Sequence, residues 1–370
     1  MRIVVIGGTA TSVMQFRGPL LAAMIAQGHR VTVCTPDDEP DIAKRLAEIG
    51  VDFAAVPLRR ARVAPLADLA ALAFITRLLR RLRPDIVLTY TIKPVIYGSI
   101  AAWLAGVPRR YAMITGLGLP FMHPTLKGRA LATVVGTLAR QALARNDAIF
   151  FQNPDDIAEF RRRAILHPQA RVVQLNGSGV DLAHYPRSAP PPPPVTFLWM
   201  GRLLRDKGVV EFVAAVRQLK QQGASFRAQI LGLFDVNPTA IGRAELDRWV
   251  AEGTVEFLGS TKDVRPYLAA CSVLVYPSYR EGTPRAVLEA MATARPIITT
   301  DAPGCRETVV EGENGYLVPV RDAEAIAAAM GRFIDQPERV VTMGEASYQL
   351  ACRKYDVHKV NALVMATLEL

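Results

Sequence analysis

No Asp-x-Asp pair occurs anywhere among the 370 residues of this chain. A site that grips phosphate oxygens through a divalent cation draws on carboxylates of that kind, so the usual form of such a site is excluded. Cysteine is scarce. The four present (Cys34, Cys271, Cys305 and Cys352) are scattered, which excludes a disulfide framework or a zinc site and fits a reducing cytosol. Long apolar runs are also missing. The longest uncharged stretches, Pro94–Pro108 and Tyr111–Leu126, fall short of about 18 residues and are broken by Gly or Pro, so neither spans a bilayer. The opening MRIVVIGG runs straight into a strand-like segment and does not read as a signal peptide.

What is present indicates a large core in two parts. Half of the residues are hydrophobic and 21% are charged, and the length suits two domains. Five consecutive prolines, Pro190 to Pro194, form a stiff polyproline spacer. The expected division is therefore 1–188, a linker at 189–195, and 196–354; the stretch 355–370 suits a terminal helix, and its return to the first domain is what the fold resembled below implies.

Each half repeats strand, turn and amphipathic helix. The expected strands of the first half are Ile3–Ile6, Val31–Cys34, Ile86–Thr89, Tyr111–Ile114, Ala148–Phe151 and Val172–Leu175. Those of the second are Thr196–Met200, Ala228–Leu231, Val255–Leu258, Val273–Tyr276, Pro296–Thr299 and Tyr316–Val318. Continuous apolar runs alternating with helices predict an α/β chain of two Rossmann-like parallel sheets, covered on both faces and facing a cleft. Ligands of such sheets bind outside the carboxyl ends of the strands.

The stretch YREGTPRAVLEAMATARPIITTDAPGCRETVVEGENGYLVP, from Tyr279 to Pro319, carries most of the chemistry. Glu281 lies in a Gly-Thr-Pro turn, with Thr283 expected as N-cap and Pro284 at the first helical position. Glu289 follows on the helix, roughly 8 Å along its axis at about 1.5 Å per residue. A carboxylate among Val287, Leu288, Ala290 and Met291 is costly to bury unless it is hydrogen-bonded. Two acids so placed suit a polyhydroxyl ligand, and the helix mouth favours an anion.

This segment resembles the donor-site signature of the retaining glycosyltransferases of family 4, which have the GT-B fold. The likeness extends over the EGTP turn, LEAMATARPIITTD, a Gly-Cys-Arg-Glu helix start and ENGYLVP. The second motif is MGRLLRDKG, Met200–Gly208. The resemblance implies that Arg202 and Lys207 bind the donor's diphosphate, where fixed cations stabilise the charge that gathers on a departing nucleoside diphosphate. It implies that Glu289 takes the donor ribose, Glu281 the transferred sugar, and the backbone at Gly282, Thr283 and Pro284 the sugar or phosphate. Gly232 and Gly259, expected to end strands, would line the base pocket. With Asp-x-Asp missing, transfer without a metal or other cofactor is expected, by front-side attack in which the leaving phosphate takes the acceptor's proton.

In the family, the loop after the first strand faces the acceptor. Here Gly7-Gly8 precedes the loop TATSVMQFRG, which makes Arg17 an acceptor candidate, although a tight strand-to-helix turn explains the two glycines equally well. TIKPVIYG (Thr91–Gly98) and ITGLG (Ile114–Gly118) narrow the likeness to bacterial enzymes that extend polyprenyl-diphosphate-linked saccharides, often with an N-acetylhexosamine from a UDP-sugar. Lys93 is then a candidate for an acceptor phosphate, against a merely solvated lysine. Thr115 and Gly116 stand about where many members carry a histidine, and His123 reads as a loop residue.

Charge is uneven. Residues 1–181 carry 23 Lys/Arg against 13 Asp/Glu, while the rest carries 21 of each. The whole excess of +10 therefore lies in the first half and points to an anionic partner there. Leu66–Arg83, LADLAALAFITRLLRRLR, fits either an interfacial helix on acidic lipid or a helix packed on the sheet with arginines at its C-terminus. Arg59, Arg60, Arg62 and Arg161 to Arg163 would extend an anionic-membrane patch on the cytoplasmic face. Nucleic acid is disfavoured as partner, because no recognised motif or interleaved aromatics accompany the basic residues. A non-catalytic nucleotide-sugar-binding scaffold or partner subunit does not explain the four charged motif residues. A sugar-nucleotide epimerase on the same fold would need further acid–base groups, and the chain has only five histidines.

Overall fold

The computed structural model describes residues 1–36, 40–58, 64–116 and 126–370. These form two compact units, Met1–Ser178 with Val360–Leu370, and Gly179–Lys359. The division thus falls ahead of the proline run, which belongs to the second unit. One reason is Arg295. Its fully buried guanidinium donates to the carbonyls of Ser188, Ala189, Leu268 and Ala269, so the chain entering the prolines is already tied to the second unit's helices.

The first unit holds β1 (Arg2–Ile6), β2 (Arg30–Thr35), β3 (Asp52–Ala55), β4 (Ile86–Tyr90), β5 (Arg109–Ile114), β6 (Ala148–Phe151) and β7 (Val172–Gln174). They form one sheet in the order β3-β2-β1-β4-β5-β6-β7, parallel at every pairing. β3 was not foreseen. Its sequence, DFAA, is short and half-exposed, so it lacks the apolar run that marks the buried strands.

The second unit holds β8 (Thr196–Arg202), β9 (Arg227–Leu233), β10 (Glu256–Phe257), β11 (Val273–Tyr276), β12 (Ile297–Thr300) and β13 (Gly315–Val318). Their order is β10-β9-β8-β11-β12-β13, again parallel. The strand order reverses between β1 and β4 in one sheet and between β8 and β11 in the other. In open parallel sheets such reversals mark where ligands bind, outside the carboxyl ends of the strands.

Apolar clusters cover the faces of each sheet. Phe197, Trp199, Phe212 and Phe333 anchor one in the second unit. Ile3, Val5, Leu88 and Phe150 anchor one in the first, joined by Val364, Met365 and Leu368 of the terminal helix Val357–Leu368. Each such side chain, when fully buried, stabilises by about 1.5–3 kcal/mol.

Two segments, one expected as a loop and one as a helix start, are built differently. The segment read as the loop TATSVMQFRG is mostly helix, because Thr9 caps a helix running Ala10–Ala26 and accepts from the Ser12 amide at 3.1 Å. The helix passes through Pro19. The Gly-Cys-Arg-Glu segment forms only one 3-10 turn, Arg306–Thr308, ended by extended backbone at Val309.

Candidate active site

The reversal in the second sheet brings two loops together. After β8 the chain makes one 3-10 turn, Arg205–Lys207, and passes Gly208 into the helix Val209–Gln221. Gly208 has φ 72° and lies against the Pro277 carbonyl, where a Cβ has no room. The Trp199 indole donates to the Lys207 carbonyl at 3.1 Å, and the Tyr279 amide donates to the Asp206 carbonyl at 2.9 Å. These contacts bind the loop after β8 to the loop after β11.

The result is a direct ion pair between Lys207 Nζ and Glu281 Oε1, both largely buried. The same carboxylate oxygen accepts from the Tyr276 hydroxyl at 2.9 Å and the Ser278 hydroxyl at 2.8 Å. Burial, and then the Glu281 carboxylate, push the Tyr276 phenol well above its ordinary pKa, so it remains a donor. The Glu281 amide donates to the Pro303 carbonyl at 2.9 Å. Gly304, with φ 80°, lies against the Glu281 and Gly282 carbonyls, which fixes the backbone of the turn.

Glu289 sits on the helix Arg285–Ala292 and is 7% exposed. Its burial is compensated by two donors on Oε1, the Tyr185 hydroxyl at 2.8 Å and Arg285 Nε at 2.7 Å. Arg285 stands four positions before Glu289, a spacing at which helical side chains meet. Tyr185 is 104 positions away, so no local pattern announces it. Tyr276 and Ser278 were likewise missed, although they stand only five and three positions before Glu281, at the end of β11 and in the loop that follows.

Other expectations need correction. Thr283 is not the N-cap. Pro284 is, with extended backbone, and the helix starts at Arg285, while the Thr283 hydroxyl donates to the Gly282 carbonyl at 3.0 Å. Gly232 does not end its strand but lies inside β9, where a Cβ would come within 2.8 Å of the Gly201 carbonyl. Its amide donates to the Gly259 carbonyl at 2.8 Å, so these two glycines are neighbours. Arg202 pairs with Asp235 at 2.9 Å and remains half-exposed.

In the first unit, Gly7 and Gly8 follow β1 and lie against Tyr90 and Thr91. This is a tight strand-to-helix turn. Arg17 is not on a loop but buried within the first helix, its guanidinium 5.8 Å from the Tyr90 ring centroid. Lys93 opens the helix Ile92–Leu104 and pairs with the buried Asp68 at 2.8 Å, so it is not a solvated lysine. Thr115 and Gly116 directly follow β5, half-buried. His123, Arg59, Arg60 and Arg62 lie outside the described residues.

The helix Pro65–Leu82 packs one side into its unit, as the second of its two readings expects. Asp68, Ala71, Ile75, Leu78 and Leu79 are buried. Its other side exposes Leu66 (85%), Leu69 (61%) and Phe74 (42%), with Arg77, Arg80 and Arg81 following toward the C-terminus. Among the described residues, no helix is long and apolar enough to cross a membrane. Among the same residues, no group of three His, Cys, Asp or Glu is placed to hold a metal ion.

Comparison with known proteins bears on the family and the fold. Residues 194–336 match the family described as glycosyl transferases group 1, and residues 7–177 match the glycosyl transferase 4-like domain. The Campylobacter jejuni N,N'-diacetylbacillosaminyl-diphospho-undecaprenol alpha-1,3-N-acetylgalactosaminyltransferase is 25% identical, over 96% of this chain and 95% of its own. The capsular polysaccharide biosynthesis glycosyltransferase CapM of Staphylococcus aureus is 23% identical, over 78% of this chain and 77% of its own. Among solved structures, Anabaena HepE in complex with UDP superposes with a TM-score of 0.79 at 18% identity, covering 100% of both chains. Sucrose-phosphate synthase from Thermosynechococcus elongatus gives 0.80 at 18% identity, over 100% of this chain and 98% of its own. The two parallel-sheet units, the motif residues gathered at the second sheet's reversal and the two family matches together place the chain among the group 1 glycosyltransferases of GT-B fold.

Proposed function

We propose that this glycosyltransferase moves a sugar, an N-acetylhexosamine, from a UDP-sugar to a polyprenyl-diphosphate-linked saccharide, with retention and without a metal. The observation that carries the donor half is the Lys207–Glu281 pair at the reversal of the second sheet. A cation and a carboxylate side by side suit a substrate that presents phosphate and sugar hydroxyls at one point. Lys207 and Arg202 stabilise the leaving diphosphate, Glu281 accepts from hydroxyls of the transferred sugar, and Glu289 accepts from the ribose. Backbone amides at Gly282 and Thr283 add donors beside Pro284, and Gly232 and Gly259 flank the base.

The acceptor half rests on the Campylobacter relative, whose name specifies a diphospho-undecaprenol substrate and which matches nearly end to end. Arg17, Lys93, Thr115 and Gly116 are the acceptor residues of this reading. Lys93 and Gly116 follow neighbouring strands, β4 and β5. The exposed Leu66, Leu69 and Phe74, continued by arginines, suit an anionic bilayer surface on the cytoplasmic side, where such an acceptor resides. Nucleic acid is not a partner in this reading.

Incubation with several UDP-hexosamines and a polyprenyl-diphosphate-linked sugar, read by mass spectrometry, tests it. Transfer of one hexosamine with unchanged anomeric configuration, undiminished by a chelator, is the expected result. Failure with every UDP-sugar overturns the donor assignment, and transfer only to free saccharides overturns the acceptor assignment.

A further inference from the structure

We infer that Tyr185 is a positioning residue for the donor, acting through Glu289; the inference rests on the donor role proposed for Glu289. Both protein donors to this carboxylate meet the same oxygen. Tyr185 reaches Oε1 at 2.8 Å and Arg285 reaches it at 2.7 Å, while no described residue donates to Oε2. One oxygen is therefore held by the protein, and the other keeps its lone pairs for an incoming hydroxyl.

Two donors from different directions also fix the plane of the carboxylate. Arg285 alone would not do so, because it rides on the same helix as Glu289 and is attached one turn away. Tyr185 comes from a separate segment that is itself held firmly. The Asp181 carboxylate caps that turn, accepting from the Ala183 and His184 amides at 2.9 and 3.0 Å, and the Tyr185 amide donates to the Asp181 carbonyl at 2.9 Å. Just ahead, Val180 donates to the Tyr355 carbonyl at 2.7 Å and accepts from the Val357 amide at 3.0 Å. The phenol is buried, packed edge-on against His184 at 4.9 Å between centroids. A donor pre-set in this way spares Glu289 the loss of rotamer freedom on meeting a ligand.

Tyr185→Phe removes only the hydroxyl. UDP binding by calorimetry and steady-state kinetics with the UDP-sugar, compared with Glu289→Gln and the double variant, test the inference. Tyr185→Phe is expected to weaken UDP binding and raise the donor KM about ten-fold, with kcat within about two-fold of the parent. The double variant should be no worse than Glu289→Gln alone. A 2',3'-dideoxy-UDP probe should bind the parent and Tyr185→Phe equally, a result that a general loosening of the site would not give. Parental UDP affinity in Tyr185→Phe, or fully additive losses, overturns the inference while leaving the role of Glu289 intact. Parental UDP affinity in Glu289→Gln overturns the ribose role itself, a separate result.

Discussion

Lys207 and Glu281 stand 74 positions apart in the chain and share a direct ion pair. It forms because β8 and β11 are neighbours in the sheet while their outgoing loops lead in opposite directions across it. The carboxylate also takes hydroxyl donors from Tyr276 and Ser278. Glu281→Gln keeps an acceptor oxygen for those hydroxyls, so the melting temperature should stay within a few degrees. Turnover should drop by about 10²–10³, the range for removing one preorganised electrostatic group. Parental turnover in a folded Glu281→Gln protein would remove Glu281 from the mechanism.

Arg202 behaves differently because its pair with Asp235 is half-exposed. Exposed pairs contribute about 0–1 kcal/mol, so Arg202→Ala should unfold at nearly the parental temperature. Its cost should appear in the donor, as weaker UDP binding together with slower turnover. Calorimetry with UDP separates this outcome from a purely structural role, in which both quantities stay parental.

Gly208 is the position where backbone and chemistry are most closely linked. Gly208→Ala would hold an L-residue at positive φ and press its Cβ on the Pro277 carbonyl. Strain of this kind costs about 1–3 kcal/mol, and relief requires the loop carrying Lys207 to shift. Thermal unfolding should fall by several degrees, and UDP affinity should fall with it. A variant of parental stability and affinity would show that the loop is not held by this contact.

Alkaline stability follows from the tyrosines. Burial first, and then neighbouring carboxylates, raise Tyr97 and Tyr279 to about 12 and hold Tyr185, Tyr276 and Tyr355 higher still. An unfolded tyrosine ionises near about 10. The unfolded chain therefore releases these protons before the folded one, so stability is intact below about pH 10 and falls as pH rises toward 12. Absorbance of phenolate against pH should show these five titrating late, in step with loss of circular dichroism. Five phenols ionising near pH 10 with the fold intact would contradict their burial.

The exposed side of Pro65–Leu82 predicts vesicle binding that needs anionic lipid and weakens with salt. Leu69→Glu with Phe74→Ser should abolish it while leaving the buried side undisturbed. Binding unaffected by those changes, or by salt, would place the contact elsewhere.

Most of the architecture was legible because buried parallel strands write short, unbroken apolar runs. β3 escaped notice because Asp52 to Ala55 is half-exposed and short. The start of the first helix escaped because Gly18-Pro19 looks like a break, whereas Thr9 had already capped the helix. In the site, Glu281, Glu289, Arg202 and Lys207 were readable as motif residues. Their partners were less so. Arg285 obeys helical spacing and Tyr276 stands only five positions before Glu281, so both could have been found, but Tyr185, 104 positions from Glu289, reaches its carboxylate through a fold of the chain that no local pattern encodes.

The two sheets repeat one strand order, each with its own reversal and its own apolar clusters. Among these clusters none mixes residues of the two units. Inheritance can therefore act on the halves separately. Recombination near Ser178 and Val360 would keep each of these apolar clusters within one parental half, so a lineage could vary by reassortment as well as by point mutation.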